Sequence, residues 1–283
     1  MPDSSRVSIV IPTRSRPEYL DVALASIAPQ AAALDAEVIV VGDGADPRTE
    51  GVARRHAAQY LELDPPRGAN AARNAGVAAA NGDPIVLVDD DVEAPRGWLD
   101  ALLAGVRGAP DREVFGGPIL ARLEGRSPRA CGREPVLITT LDLGAADHDV
   151  PFVWSANMAI RRAALDRIGP FDESIHGRGE EEDWELRYRG AGGHIRYLAR
   201  AGVHHRRAPA DSTLSALARG AYRLGRTARR NDLRKGTHPR LRAELRALAG
   251  CGWHTVRYRC ANGIVMGAET AGRLREALSE RHR

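Results

Sequence analysis

The chain has 283 residues, 43% of them hydrophobic and 28% charged, with 41 basic and 37 acidic side chains and a formal net charge of +4. That is enough apolar material for a large core without covalent staples, in one substantial domain with an appendage or in two small ones. The opening MPDSSRVSIVIPTRSRP lacks a basic stretch leading into a long apolar one, and no apolar run approaches the roughly 20 residues that cross a bilayer. The expected location is therefore cytoplasmic, at most peripheral to the inner face of a membrane.

Taken in chain order, the first half alternates strands with helices. VSIVI at 7–11 is an apolar, β-branched run, and 16–28 has helical spacing with Pro17 near its start. EVIVV at 37–41 predicts the second strand, followed by a Gly/Asp/Pro turn at 42–47 and a helix over 48–58. A short strand near 60–63, a helix over 69–80 and a strand over 84–88 follow. Strands apolar throughout, alternating with helices, predict an α/β fold with a mainly parallel central sheet covered on both faces. In such sheets ligands bind beyond the carboxyl ends of the strands.

Those ends carry the polar residues of interest. The first strand runs into Pro12, Thr13 and Arg14, the second into Gly42, Asp43 and Gly44, and the strand IVLV into Asp89, Asp90 and Asp91. Three adjacent carboxylates repel one another unless something positive sits among them. In a ligand-binding crevice they suit a hard divalent cation completed by phosphate oxygens, with Mn2+ or Mg2+ bridging a diphosphate.

VSIVIPTRSRPEYL, VIVVGDGADP and GANAARNAGVAAANGDPIVLVDDDV, in that order, resemble the successive motifs of the family 2 glycosyltransferases of the GT-A fold, and the resemblance extends to about residue 206. It implies an inverting transferase taking a sugar from a nucleotide-diphosphate sugar donor. By that resemblance Pro12, Thr13, Arg14 and Asp43 cradle the nucleotide, with Arg73 and Asn74 of the RNxG segment nearby. Asp89, Asp90 and Asp91 form the DxD region, Asp89 and Asp90 on the nucleotide side and Asp91 with Asp89 as metal ligands. WSANMAIRRAALDRIGPFDE at 154–173 is similar to the acceptor-side segment, which points to Trp154 and Asn157. GEEEDWELRYRGAGG at 179–193 carries the ED motif at Glu182 and Asp183, cast as the catalytic pair with Asp183 the base. His205 aligns with a late histidine that adds a metal or diphosphate contact. The second motif departs from the family's DDGS, reading Gly42-Asp43-Gly44-Ala45, so the nucleotide base stays unassigned.

Two other readings stay open at this level. One is a catalytically degenerate sugar-nucleotide-binding protein, which the altered second motif permits. The other is a nucleotidyltransferase, which usually opens with a Gly-rich loop that IPTRSRP lacks.

The remainder of the chain differs in character. Residues 206–283 carry a charge of +12, which predicts a basic, helical C-terminal extension (207–283) beside a catalytic domain (1–206). Leu214, Leu217, Ala221, Leu224 and Ala228 fall on one side of a helix and Arg219, Arg223, Arg226 and Arg230 on the other. Such a helix fits packing on a domain, and equally peripheral contact with an anionic membrane. Further helices are expected over 238–249 and 264–281. Nucleic acid is not an expected partner, because aromatic residues for base stacking are sparse. The acceptor is left among lipid-linked sugars, glycans, peptides and small molecules. Arg161 and Arg162 read as a surface pair. Cys131, Cys251 and Cys260 are odd in number and lack CxxC spacing, so they imply neither a disulfide framework nor a zinc site.

Overall fold

The computed structural model describes residues 7–125, 128–133, 138–177, 179–237 and 239–280. The chain divides into two compact units: Met1–Leu120, Thr140–Ile175 and Glu180–Arg206 form the first, and Ala121–Thr139, His176–Gly179 and Arg207–Arg283 the second. The stretches 121–139 and 176–179 thus join the C-terminal segment.

The first half of the chain contributes β1 (Ser8–Thr13), α1 (Pro17–Ala33), β2 (Glu37–Asp43), α2 (Pro47–Arg55), β3 (Gln59–Leu63), α3 (Ala69–Ala79), β4 (Ile85–Val88), β5 (Val92–Glu93), α4 (Trp98–Gly108), β6 (Val114–Gly116) and β7 (Ile119–Leu123). It continues with β8 (His148–Val150), β9 (Asn157–Ile160), α5 (Arg162–Ile168), α6 (Glu182–Gly190), β10 (Ile195–Tyr197) and β11 (Val203–Arg207). The main sheet has the order β3-β2-β1-β4-β9-β6-β10-β8. β3, β2, β1 and β4 pair in parallel, while β9 enters antiparallel between β4 and β6, and β8 closes the edge antiparallel to β10. A small sheet orders β5-β11-β7.

Side chains alternate between the two faces with the period of two that a strand imposes. Ile9, Ile11, Val86 and Val88 face a core built with Leu20, Leu24 and Ile27 of α1 and Trp98, Leu99 and Leu102 of α4. Val10, Ile39, Val41 and Leu87 face a second core with Ala72, Leu165, Phe171, Trp184 and Tyr188. Helices thus cover both faces, as the unbroken apolar strands require. α3 lies close to the sheet because residue 76 is glycine: a Cβ there would stand 2.2 Å from Val10 Cγ1. α1 runs past Pro29 to Ala33, beyond the sequence-predicted end at 28. Pro29 removes one helical N–H bond, and the helix continues beyond it to bury Ala31.

In the second unit, α7 (Leu214–Arg234), α8 (Leu241–Tyr258) and α9 (Asn262–Glu280) pack as helices, α9 against both others. Thr213 caps α7, its hydroxyl accepting from Ala216 N. Ala221, Gly225 and Ala228 form the buried stripe, whereas Leu224 is exposed. Glycine permits the close crossing, since a Cβ on Gly225 would lie 1.9 Å from Glu269 O and one on Gly272 2.1 Å from Tyr222 O. The expected arginine stripe is partly consumed here. Arg226 Nε lies 2.9 Å from Glu276 Oε2, and Arg230 Nε 2.7 Å from Glu276 Oε1. Among the described residues no helix is long and apolar enough to cross a membrane.

Candidate active site

Because β1, β2 and β4 run parallel in register, Thr13, Asp43 and Val88 leave the sheet at the same edge, and residues 89–91 continue from β4 there. Asp90 and Asp91 are buried, while the Asp89 side chain is about one-third exposed at 32%. The positive charges among these carboxylates are two guanidinium groups. Arg16 spans two of the three aspartates, with Nη1 2.9 Å from Asp90 Oδ1 and Nη2 2.7 Å from Asp91 Oδ2. Burial alone would lower the Arg16 pKa, but Asp90 and Asp91 outweigh it and hold the guanidinium above its ordinary value. Arg73 is buried, donates to Glu180 Oε2 at 3.0 Å and lies 3.6 Å from Asp89 Oδ1. Arg16 went unnoticed in the sequence, where the only signal was the RSR that follows β1.

Asp90 is a strut rather than an open ligand. Its Oδ2 accepts the Thr13 hydroxyl at 2.6 Å and its Oδ1 faces Arg16. Burial pushes its carboxyl up to about 7 against the opposing pull of Arg16, and the neighbouring Asp91 adds to the rise. Asp91 meets the His205 imidazole, Nε2 to Oδ1 at 3.0 Å. This contact follows from topology: His205 pairs in register with Val92 across β5 and β11, and Arg206 N donates to Asp91 O at 2.8 Å. Asp43 is also largely employed by the protein. Its Oδ1 accepts Arg67 N at 2.6 Å and Gly68 N at 2.9 Å, the entry to α3, and its Oδ2 lies 3.4 Å from the exposed Arg14. Pro12, just inside the end of β1, is half-buried.

Asn157, Trp154, Asn74 and the pair Arg161 and Arg162 make their contacts within the protein. Asn157, read as acceptor-side, is fully buried with its amide spent internally: Nδ2 donates to Ala201 O at 2.7 Å and Pro118 O at 3.2 Å, and Oδ1 accepts Trp98 Nε1 at 3.1 Å. Trp154 is half-buried and packs on the α1 and α4 core. Asn74 does not turn to the aspartates; it clamps the loop before α6, donating to Phe171 O and accepting Phe171 N, each at 2.9 Å. Arg161 and Arg162 are not a solvated pair. Arg161 donates to Arg112 O and Val106 O, and Arg162 to Ala80 O and Gly82 O.

The acidic run before and into α6 separates into different environments. Asp183 is half-exposed and lies 3.0 Å from Arg187 Nε one turn along the helix. Glu181 retains a solvent-accessible rim but is otherwise enclosed by protein. That enclosure pushes its carboxyl up, with Arg73 pulling down and Asp89 pushing further up. Glu182 is half-buried. Glu185 is fully buried and accepts Val153 N at 2.9 Å, and burial lifts its carboxyl to about 9.

A doubly covered, mainly parallel sheet with aspartates and a histidine gathered at the carboxyl edge defines an α/β protein of the nucleotide-binding kind. Residues 8–169 match the model of glycosyl transferase family 2, and the chain belongs to that family. It is 33% identical over 213 residues to the pre-mycofactocin glycosyltransferase of Mycobacterium tuberculosis, an alignment covering 72% of this chain and 43% of the relative. With the validoxylamine A glucosyltransferase of Streptomyces hygroscopicus it shares 31% identity over 214 residues, covering 65% of this chain and 50% of the relative. The chain therefore spans about half the length of these relatives, or less. The fold is that of GT-A glycosyltransferases: the crystal structure of S. aureus TarS 1–349 superposes over 98% of this chain and 92% of its own, with a TM-score of 0.53 at 15% identity.

Proposed function

We propose that the chain is a metal-dependent, inverting glycosyltransferase that moves a sugar from a nucleoside-diphosphate sugar to an acceptor hydroxyl. The observation that carries this reading is the convergence of Asp43, Asp89, Asp91 and His205 at one sheet edge in a family 2 chain. The donor set of carboxylate oxygens and an imidazole fits Mn2+ or Mg2+. Asp91, His205 and Asp89 would hold the ion, which would stabilise the charge on the departing diphosphate. Arg14, exposed beside Asp43, is positioned to add a cationic contact to the nucleotide.

The chain's own residues account for the rest. Arg16 and Thr13 fix Asp90, and through it the main chain of 89–91, so that Asp89 and Asp91 are oriented in advance of the donor. Arg73 ties Asp89 to Glu180 and thereby positions the acidic entry to α6 relative to the aspartates. Asp183, accessible and 3.0 Å from Arg187 Nε, takes the acceptor proton. As the hydroxyl oxygen bonds to the anomeric carbon, the bond to the diphosphate breaks and the nucleoside diphosphate leaves, with inversion and no covalent sugar intermediate. The relatives' names supply the first acceptors to assay, pre-mycofactocin and validoxylamine A. The basic C-terminal segment is proposed as the surface that meets anionic lipid or a lipid-linked diphosphate.

The test is thermal stabilisation of the chain by a panel of nucleoside diphosphates and nucleotide sugars, each with and without manganese. One nucleotide should raise the melting temperature only when manganese is present, and Asp91→Ala should abolish the rise. A panel giving no metal-dependent shift would turn the reading toward a degenerate binding protein.

A further inference from the structure

Among the described residues, one group of three metal-binding side chains brings its donor atoms within 4.8 Å of one another, and it belongs to the second unit rather than to the aspartate edge. We propose that Cys131, His254 and Cys260 form a binding site for zinc. The three residues come from three pieces of chain: Cys131 from the 128–133 segment, His254 from the last turns of α8, and Cys260 from the turn joining α8 to α9. Cys131 Sγ lies 3.3 Å from His254 Nε2. Tetrahedral zinc, with bonds of about 2.3 Å to sulfur and about 2.0 Å to nitrogen, requires donor separations of about 3.5–3.8 Å. The side chains therefore stand close to coordinating distance without the ion.

The turn that carries Cys260 is built to hold it there. Arg259 ends α8 in the left-handed conformation at φ 47°, and Ala261 N donates to Arg129 O at 2.8 Å, tying the turn to the segment that bears Cys131. Gly263 permits the tight turn, since a Cβ would lie 2.2 Å from Thr255 Oγ1. The His254 ring meets Tyr258 edge-on at 5.1 Å, which restrains its plane.

The surroundings favour thiolate, the form that binds metal. Cys131 N donates to Cys260 Sγ at 3.2 Å, and Asn262, the first residue of α9, adds a second backbone donor. The amino end of a helix stabilises negative charge. Two sulfurs and an imidazole select a soft or borderline cation over Mg2+ or Mn2+, so this site and the aspartate edge would take different ions. Three protein ligands leave a fourth position for water or another donor. Cys251, which forms no disulfide, is not a member of the group.

The experiment uses the full chain, purified with reductant, stripped of metal and titrated with Co2+ as a spectroscopic stand-in for zinc. The expected result is saturation at one equivalent with a thiolate-to-cobalt charge-transfer band, which oxygen ligands at the aspartate edge cannot produce, and its bleaching by one equivalent of Zn2+. Cys131→Ser, Cys260→Ser and His254→Gln should each weaken Co2+ binding roughly tenfold or more, while Asp91→Ala leaves the band intact. Cys131 lies in a half-exposed segment, so Cys131→Ser should melt as the metal-free wild type does and lose only the zinc-induced rise. Absence of the band at stoichiometric cobalt, or its survival in the double cysteine variant, overturns the proposal. So does recovery of one free thiol instead of three when the chain is prepared with zinc and without reductant, because that would assign the pair to a disulfide.

Discussion

Glu185 sits where a carboxylate is costly. Its side chain is fully buried against Val153 N, and burial lifts its carboxyl from 4.5 to about 9, with Glu181 and Glu182 adding to the rise. The folded chain therefore keeps a proton that the unfolded chain releases above its own lower pKa. Stability is unaffected at pH values below the unfolded pKa and is lost as pH climbs from there toward 9. Glu185→Gln, which is neutral at every pH and of the same shape, should be more stable than the wild type near neutral pH, on the order of 3 kcal/mol at about pH 7. The two proteins should converge in acid. Denaturant unfolding at about pH 4 and about pH 7 reads the difference, and a constant offset at both would remove Glu185 as its source. The acids nearer the aspartates make a different comparison. Asp183→Asn should reduce kcat by roughly a hundredfold or more while nucleotide-induced stabilisation stays as in the wild type. Glu181→Gln, which removes a charge that acts on Arg73 and Asp89, should lower that stabilisation and spare most of kcat. The reverse pattern would make Glu181 the base.

The helices and strands divide into those the chain's local pattern reveals and those chosen by partners. Gly225 and Gly272 belong to the second group: each sits where the backbone of the facing helix leaves no room for a methyl group. Gly225→Ala would place its Cβ against Glu269 O, a backbone atom that cannot rotate away, so α7 and α9 should separate at a cost of about 1–3 kcal/mol. A full chain carrying Gly225→Ala that melts at the wild-type temperature would show that the two helices do not cross this closely. The alternating β1, β2 and β4 were legible because apolar runs and turn residues bound them in the sequence, and their shared carboxyl edge followed from parallel pairing. β9 was not legible as a sheet member: NMAI is a short apolar run whose place between β4 and β6 depends on two distant strands. The same limit explains Asn157, which in sequence is only a polar residue in a matched motif, and whose role rests on carbonyls from residues 118 and 201. Arg16 and the cysteine and histidine group were missed for one reason. Their partners lie tens to more than a hundred residues away, and no spacing rule reaches that far.

Across the whole molecule, charge is the property with the widest reach. The +12 carried by residues 206–283 is not cancelled by the ion pairs found there, because Glu276, Glu244 and Asp232 are already counted in it. Those pairs neutralise Arg226, Arg230 and Arg273 locally and leave the excess on other side chains, Arg219 and Arg223 among those near the surface of α7. The apolar stripe that a helix would bury in lipid has in part been spent within its own unit, where Ala221, Gly225 and Ala228 are buried. Attraction to an anionic surface is therefore expected to be electrostatic, without insertion, and electrostatic attraction between exposed charges is screened over a Debye length of about 10 Å at 0.1 M salt. The full chain should co-sediment with vesicles containing phosphatidylglycerol at low salt, stay in solution with neutral phosphatidylcholine vesicles, and be released from the anionic ones as salt is raised. Arg219→Glu combined with Arg223→Glu should bring release to lower salt with no change in nucleotide-induced stabilisation. Retention at high salt would mean that apolar side chains enter the bilayer and would overturn the electrostatic account. Absence of binding at low salt would mean that the excess charge is not presented to a membrane, leaving recognition of a soluble acceptor as the remaining use for it.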